Sequence, residues 1–164
     1  MHKAFIALGS NLNSPASQVK SALQSIEQLP KTRIIKKSSL YKTAPEGYQN
    51  QPDFINAVVE VATELKPEIL LENLLKIETD FGRERHFPNS PRILDLDLLL
   101  YDDLILSTET LTLPHPRMHL RGFVLLPLAE VAPNLSIPDF SLPFGGNVVK
   151  LAETYQHEKI EKLS

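Results

Sequence analysis

The stretch Ser90-Pro91-Arg92-Ile93-Leu94-Asp95-Leu96-Asp97-Leu98-Leu99-Leu100 decides how the rest of the chain is read. Two carboxylates stand two residues apart in an otherwise greasy segment. In a strand, positions i and i+2 point to one side. Asp95 and Asp97 then share a face, with Leu94, Leu96 and Leu98 on the other. Their Cα atoms lie about 7 Å apart at the ordinary strand rise. Two anions held that close repel unless a cation sits between them. Hard oxygen ligands suit Mg²⁺, which keeps several waters and is typically shared with a substrate phosphate. Arg92, just upstream, offers a planar, permanently charged fork for phosphate oxygens. The same triplet also occurs as the wet face of an amphipathic strand, so the spacing alone leaves two readings. Its continuation, Leu98-Leu99-Leu100, reads as a strand buried on both faces. Acids opening such a strand are costly unless paired or metal-bound. The segment is therefore read most simply as a Mg-dependent phosphoryl-transfer site on a buried strand.

Upstream, Lys3 to Leu8 reads as a first buried strand, followed by a turn at Gly9-Ser10-Asn11-Leu12-Asn13. Ser14 suits a helix N-cap, with Pro15 at the first helical position. Val19, Ala22, Leu23, Ile26 and Leu29 then recur at helical spacing, and Pro30 ends the run. Thr32 to Tyr41 reads as a second strand and Phe54 to Thr63 as a third. The intervening segment from Lys42 to Asp53 is long for a hairpin, and long loops in compact domains are often functional. Pro67 opens a second helix whose apolar stripe is Leu70, Leu71, Leu74, Leu75, Ile77 and Phe81, with Gly82 as its stop. A second long loop, basic and bounded by prolines, runs from Arg83 to Arg92 and delivers the chain to the acidic strand. The order is β-α-β-β-α-β. It predicts an α+β fold, a ferredoxin-like sandwich with an antiparallel sheet and both helices on one face, with C-terminal additions. Beyond it, Leu104–Leu106 and Leu111–Leu113 suggest short strands. Phe123–Ala132 suggests a buried helix broken by Pro127, and Asn147–Tyr155 a last helix.

The 164 residues are expected to form a single domain over 1–164, with no internal repeat or linker. The formal net charge of −3 argues against a general nucleic-acid binder, which needs a basic surface. The absence of cysteine excludes disulfides, zinc thiolates and thiol nucleophiles. The apolar run at the N-terminus is too short for a signal peptide or a membrane span, so a cytoplasmic protein is expected, with no nucleic acid and no membrane as partner.

Several residues invite chemistry, each with a plainer alternative. Arg83, Arg85 and Arg92 flank the acids, and Arg117 and Arg121 follow. They hold phosphates near a Mg²⁺ site or are simply solvated. His115 and His119 are four apart, but Pro116 between them speaks against a helical zinc site. His115, set between prolines, contacts a nucleotide or caps a turn. Gly9-Ser10 lacks any phosphate-loop signature; Gly9 is read as a turn glycine leaving space beside a ligand. Asn56, among apolar neighbours, offers two donors and an acceptor to a flat heterocycle. Phe54 and Phe123 stack on such a ring or pack in the core.

These residues, taken together, closely resemble the 6-hydroxymethyl-7,8-dihydropterin pyrophosphokinases of folate biosynthesis. The resemblance runs from Ala7-Leu8-Gly9-Ser10-Asn11-Leu12 through Tyr41-Lys42-Thr43-Ala44-Pro45, Gln51-Pro52-Asp53-Phe54-Ile55-Asn56-Ala57 and Ile77-Glu78. It continues through Pro91-Arg92-Ile93-Leu94-Asp95-Leu96-Asp97-Leu98, Leu113-Pro114-His115-Pro116 and Arg121-Gly122-Phe123-Val124-Leu125-Leu126-Pro127-Leu128. It implies transfer of pyrophosphate from ATP, the co-substrate, to the pterin hydroxymethyl group, with release of AMP. It implies two Mg²⁺ ions on Asp95 and Asp97, and catalytic roles for Arg83 and Arg92 on the phosphates. Arg85, Leu98, Thr112, His115 and Arg121 match nucleotide-contacting positions. Thr43, Ala44, Glu46, Phe54, Asn56 and Phe123 match the pterin pocket, the ring lying between the two aromatics. The chain departs from the family pattern at Leu75, Pro88, Ser90 and Pro116.

Two rival readings compete. One is a Mg-dependent nucleotidyltransferase, in which Gly-Ser precedes the paired acids by a dozen or so residues; here the gap is some eighty-five. The other is a non-catalytic ferredoxin-like ligand-binding module, which gives no reason for the Asp95/Asp97 pair. A monomer acting on small molecules is the expectation.

Overall fold

A computed structural model of the chain describes residues 1–44, 51–82, 93–156 and 158–163. Glu46, Arg83, Arg85 and Arg92 lie outside the described residues, so their expected roles have no structural counterpart here. The elements run β1 (His2–Ser10), α1 (Pro15–Glu27), β2 (Thr32–Lys37), β3 (Leu40–Thr43), β4 (Phe54–Thr63), α2 (Pro67–Asp80) and β5 (Asp95–Tyr101). A two-stranded ribbon, β6 (Leu106–Ser107) and β7 (Thr112–Leu113), follows, then α3 (Gly122–Val131), α4 (Val148–Glu153) and β8 (Ile160–Leu163). The main sheet has the order β5-β1-β4-β3-β8, with β2 also on β4, and its neighbours are antiparallel. With β2 and β3 counted as two halves of one expected strand, the β-α-β-β-α-β order and its antiparallel sheet are those of the ferredoxin-like sandwich.

The period of two along β1 builds both layers of the core. Ala4, Ile6 and Leu8 pack with Val19, Ala22 and Ile26 of α1 and Leu70, Leu74 and Ile77 of α2. Phe5 and Ala7 turn to the opposite face, where Val58 and Leu99 meet Val124, Leu125 and Leu128 of α3 and Val148 and Leu151 of α4. The C-terminal additions thus form a second helical layer and close a face that would otherwise be wet. Three local expectations are corrected. The predicted second strand is cut at Ser38, whose backbone N–H donates to the Val58 carbonyl while its Oγ accepts the Val58 N–H, each at 2.9 Å. Ser14 holds the N-cap position of α1 in a left-handed conformation (φ 61°) and makes no side-chain cap bond. Pro127 does not break α3, which runs through it to Val131. Among the described residues no helix is long and apolar enough to cross a membrane.

Candidate active site

The site forms where β1 ends and β4 and β5 begin, at the margin of the face that α3 covers. In register, Gly9 of β1 lies between Asn56 of β4 and Asp95 of β5, and Ala7 lies opposite Asp97. Cross-strand partners share a face, so Asn56, Asp95 and Asp97 stand on one side of the sheet. Leu94, Leu96 and Leu98 are at most 3% exposed and face the opposite core, as the i, i+2 reading required. Gly9 is not a turn glycine. It is a strand residue, and a Cβ there would lie 3.1 Å from Asn56 Oδ1. The bare backbone leaves that carbonyl room and makes a flat floor between the amide and the acids.

Two cavities open from this row. The first is a slot lined by Thr43, Ala44, Phe54, Asn56 and Phe123. Asn56 Nδ2 donates to Thr43 Oγ1 at 3.1 Å, inside the protein, which fixes the amide and its orientation. The second, more polar, is a groove lined by Leu98, Thr112, His115, Arg117 and Glu78. Asp95, Asp97 and Arg121 line both cavities. The structure thus brings together all the expected site residues that it describes.

Arg121 occupies the N-cap position of α3, in extended conformation (φ −122°, ψ 104°). Its Nη1 lies 3.8 Å from Asp97 Oδ2 and its guanidinium carbon 5.7 Å from the centre of the Phe123 ring. The cation is thus aimed at the acids from one side and covers the aromatic wall of the slot from the other.

His115 follows the cis Leu113–Pro114 bond. Its backbone N–H donates to the Leu99 carbonyl at 2.9 Å, and its Nδ1 accepts the Arg117 backbone N–H at 3.1 Å. The neutral ring therefore carries its proton on Nε2. Burial, reinforced by Arg121 and Arg117 and opposed by Asp95, pulls its pKa from 6.5 to about 4. The imidazole is a fixed, uncharged donor in the groove. In the ligand-free protein its NMR titration is expected to have a midpoint near pH 4. Because the folded pKa is depressed, the His115 contribution to stability is complete above pH 6.5 and is lost as pH falls towards 4. A His115 midpoint near 6.5 would contradict this environment.

One contributor carried no expected role at the sequence level. Glu78 of α2 is 2% exposed, and its Oε2 accepts the Leu96 backbone N–H at 2.6 Å. Leu96 sits between the two aspartates on a strand that, among the described residues, has β1 as its one neighbour in the sheet order. Glu78 thereby satisfies an outward-facing amide and steadies the strand that presents both carboxylates. Its signal in the sequence is its position one turn after Leu74, on the buried stripe of α2, where a carboxylate needs a partner. Glu78→Leu is expected to lower unfolding stability by about 1–3 kcal/mol through the orphaned N–H. Glu78→Gln keeps an acceptor and should lose less, by urea unfolding of both variants.

The residues present suit magnesium. Asp95 and Asp97 are both half-buried on one strand face and open to both cavities. Among the described residues no cluster of three or more His, Cys, Asp or Glu side chains converges. Held by this pair alone, a divalent cation would keep water and substrate oxygens as further ligands, which is the habit of Mg²⁺.

Comparison with known proteins agrees with this geometry. The family model for 7,8-dihydro-6-hydroxymethylpterin-pyrophosphokinase (HPPK) matches residues 5–133. The 2-amino-4-hydroxy-6-hydroxymethyldihydropteridine pyrophosphokinase of Haemophilus influenzae is 44% identical over 164 residues, 100% of this chain and 99% of that protein. The protein of the same name from Bacillus subtilis is 44% identical over 128 residues, 78% of this chain and 77% of its own length. In fold, the chain resembles the solved Plasmodium falciparum HPPK-DHPS wild type with pteroate (TM-score 0.73, 17% identity), with 94% of this chain and 42% of that one covered. A row of two aspartates, an amide and a bare glycine between two cavities, on this fold and with these relatives, identifies the chain as belonging to the HPPK family, which transfers pyrophosphate, with ATP as co-substrate, to hydroxymethyldihydropterin in folate synthesis.

Proposed function

We propose that the slot takes the pterin, the groove takes ATP, and Asp95 and Asp97 hold two magnesium ions where the two meet. The observation that carries this reading is that Asp95, Asp97 and Arg121 line both cavities. A flat bicyclic ring fits between Phe54 and Phe123, with the Asn56 amide reading its mixed donor and acceptor edge. Thr43 holds the amide in place, and Ala44 leaves the slot mouth open. In the groove, Leu98 and Thr112 flank the base, and the His115 Nε2–H donates to the nucleotide. Arg121 faces the polyphosphate. From the family resemblance, Glu46 closes on the pterin, and Arg83, Arg85 and Arg92 handle phosphates.

The reaction forms a bond from the hydroxymethyl oxygen to the β-phosphorus and breaks the bond from that phosphorus to the oxygen bridging it to the α-phosphate. AMP leaves and the hydroxyl proton is released. Bound magnesium supplies charge neutralisation along the triphosphate and a lower pKa for the attacking alcohol. The protein's part is positioning: the slot fixes the alcohol, the groove fixes the phosphates, and both converge on one strand. The chain is proposed to act as a single-domain monomer in the cytoplasm. Incubation with ATP, Mg²⁺ and 6-hydroxymethyl-7,8-dihydropterin should yield AMP and pterin diphosphate in equal amounts. Free pyrophosphate in place of AMP would favour the nucleotidyltransferase reading, and no turnover the binding module.

A further inference from the structure

The C-terminal segment beyond α4 lies outside the stretch matched by the family model, yet it touches the backbone between two site residues. Gly122, the first residue of α3, stands between Arg121 and Phe123. A Cβ at Gly122 would lie 2.8 Å from Tyr155 Cβ, 3.0 Å from Tyr155 Cγ and 2.9 Å from Ile160 Cδ1. Tyr155 also reaches past this point: its hydroxyl donates to the His119 carbonyl at 3.2 Å. Its ring packs against the core beneath α3 and α4. Ile160 opens β8, and its register partner is Thr43, the residue that fixes Asn56. Glycine is needed at 122 because two side chains occupy the space any Cβ would take.

We infer that Tyr155 and Ile160 are positioning residues that, by clamping the backbone at Gly122, seat Phe123 as the wall of the pterin slot. The inference rests on the reading that this slot takes the pterin. Arg121 is held in addition by Asp97 across the site, at 3.8 Å. The clamp therefore acts most on Phe123, and its loss is read in the pterin rather than in the nucleotide.

The test is steady-state kinetics with both substrates varied, beside thermal unfolding, on five variants of the full chain. Tyr155→Ala keeps Cβ but removes the ring and with it the anchor that presses Cβ on Gly122, and is expected to raise the pterin KM about fivefold or more, since small misplacements of a binding wall are costly. Its ATP KM and kcat should stay within about twofold. Tyr155→Phe, which keeps the ring against Gly122, should stay near the native pterin KM. Leu151→Ala, in the same core cluster on α4, should lower the Tm yet leave the pterin KM unchanged. Phe123→Ala tests the underlying reading: an unaltered pterin KM there would remove the slot assignment itself. If Phe123→Ala raises the pterin KM while folded Tyr155→Ala stays within about twofold of native, the clamp is overturned. A rise in Leu151→Ala as large as that in Tyr155→Ala overturns it too. Should Tyr155→Ala fail to fold, Ile160→Ala decides on the same readout, because Ile160 is only partly buried at the end of an edge strand.

Discussion

Asp97→Ala is expected to lower kcat by about 10³-fold, the loss of roughly 4 kcal/mol of charge stabilisation in the transition state. Pterin affinity, measured by calorimetry, should change by less than about threefold, because the proposed pterin contacts are in the slot and not on the acid. The side chain is half-buried at the mouth of both cavities and belongs to neither hydrophobic cluster. Unfolding midpoints should remain close to native. A variant that keeps near-native turnover at saturating Mg²⁺ would remove the metal role from this strand. One that merely unfolds would place Asp97 in the fold instead.

The second large effect is expected at Asn56. Asn56→Leu keeps the volume and deletes every hydrogen bond the amide offers. Each unsatisfied partner on a buried heterocycle costs about 1–3 kcal/mol, so two such losses lower kcat/KM for the pterin by roughly 10²-fold or more. The ATP KM should hardly move, since Asn56 lines the slot and not the groove. Gly9→Ala tests the same point from below. Its Cβ would sit 3.1 Å from Asn56 Oδ1, so the amide must give by a few tenths of an ångström, and a smaller loss in the same parameter follows. Equal losses for both substrates in Asn56→Leu would indicate a general loosening instead of lost recognition.

How far the sequence could be read depended on which interactions leave a local imprint. β4 was legible end to end because Phe54 to Thr63 is rich in valine and other apolar residues on both of its faces, with Asn56 and Glu60 as polar exceptions, and it is buried on both faces. The Asp95/Asp97 face was legible because the period of two leaves a strand only two sides. The break at Ser38 was not, because it depends on a serine hydroxyl replacing a backbone acceptor at Val58, a partner twenty residues away. β8 left no pattern: Ile160-Glu161-Lys162-Leu163 pairs with β3 mainly through backbone, and only its ends are half-buried. The second helical layer was half legible. α3 is apolar around most of its circumference, so its burial could be read but its partner, the Phe5 and Ala7 face of β1, could not.

Among the site residues, Asn56, Phe54 and Phe123 were visible as candidates whose alternatives the sequence left open. The structure places the two aromatics and the amide at one slot, a juxtaposition that joins β4 to the start of α3 across nearly seventy residues. Glu78 was hidden for the opposite reason. It accepts the Leu96 backbone N–H on the acidic strand, and nothing in the local sequence of α2 names that partner.

The most direct test of the central claim is calorimetric titration with α,β-methylene-ATP, an analogue in which the scissile linkage is blocked. It would compare the native chain with the Asp95→Asn/Asp97→Asn variant, in excess Mg²⁺ and in EDTA. The account predicts that Mg²⁺ strengthens analogue binding at least about tenfold in the native chain and has no effect in the double variant. An equal Mg²⁺ dependence in both proteins would show that the metal is held elsewhere and would contradict the assignment.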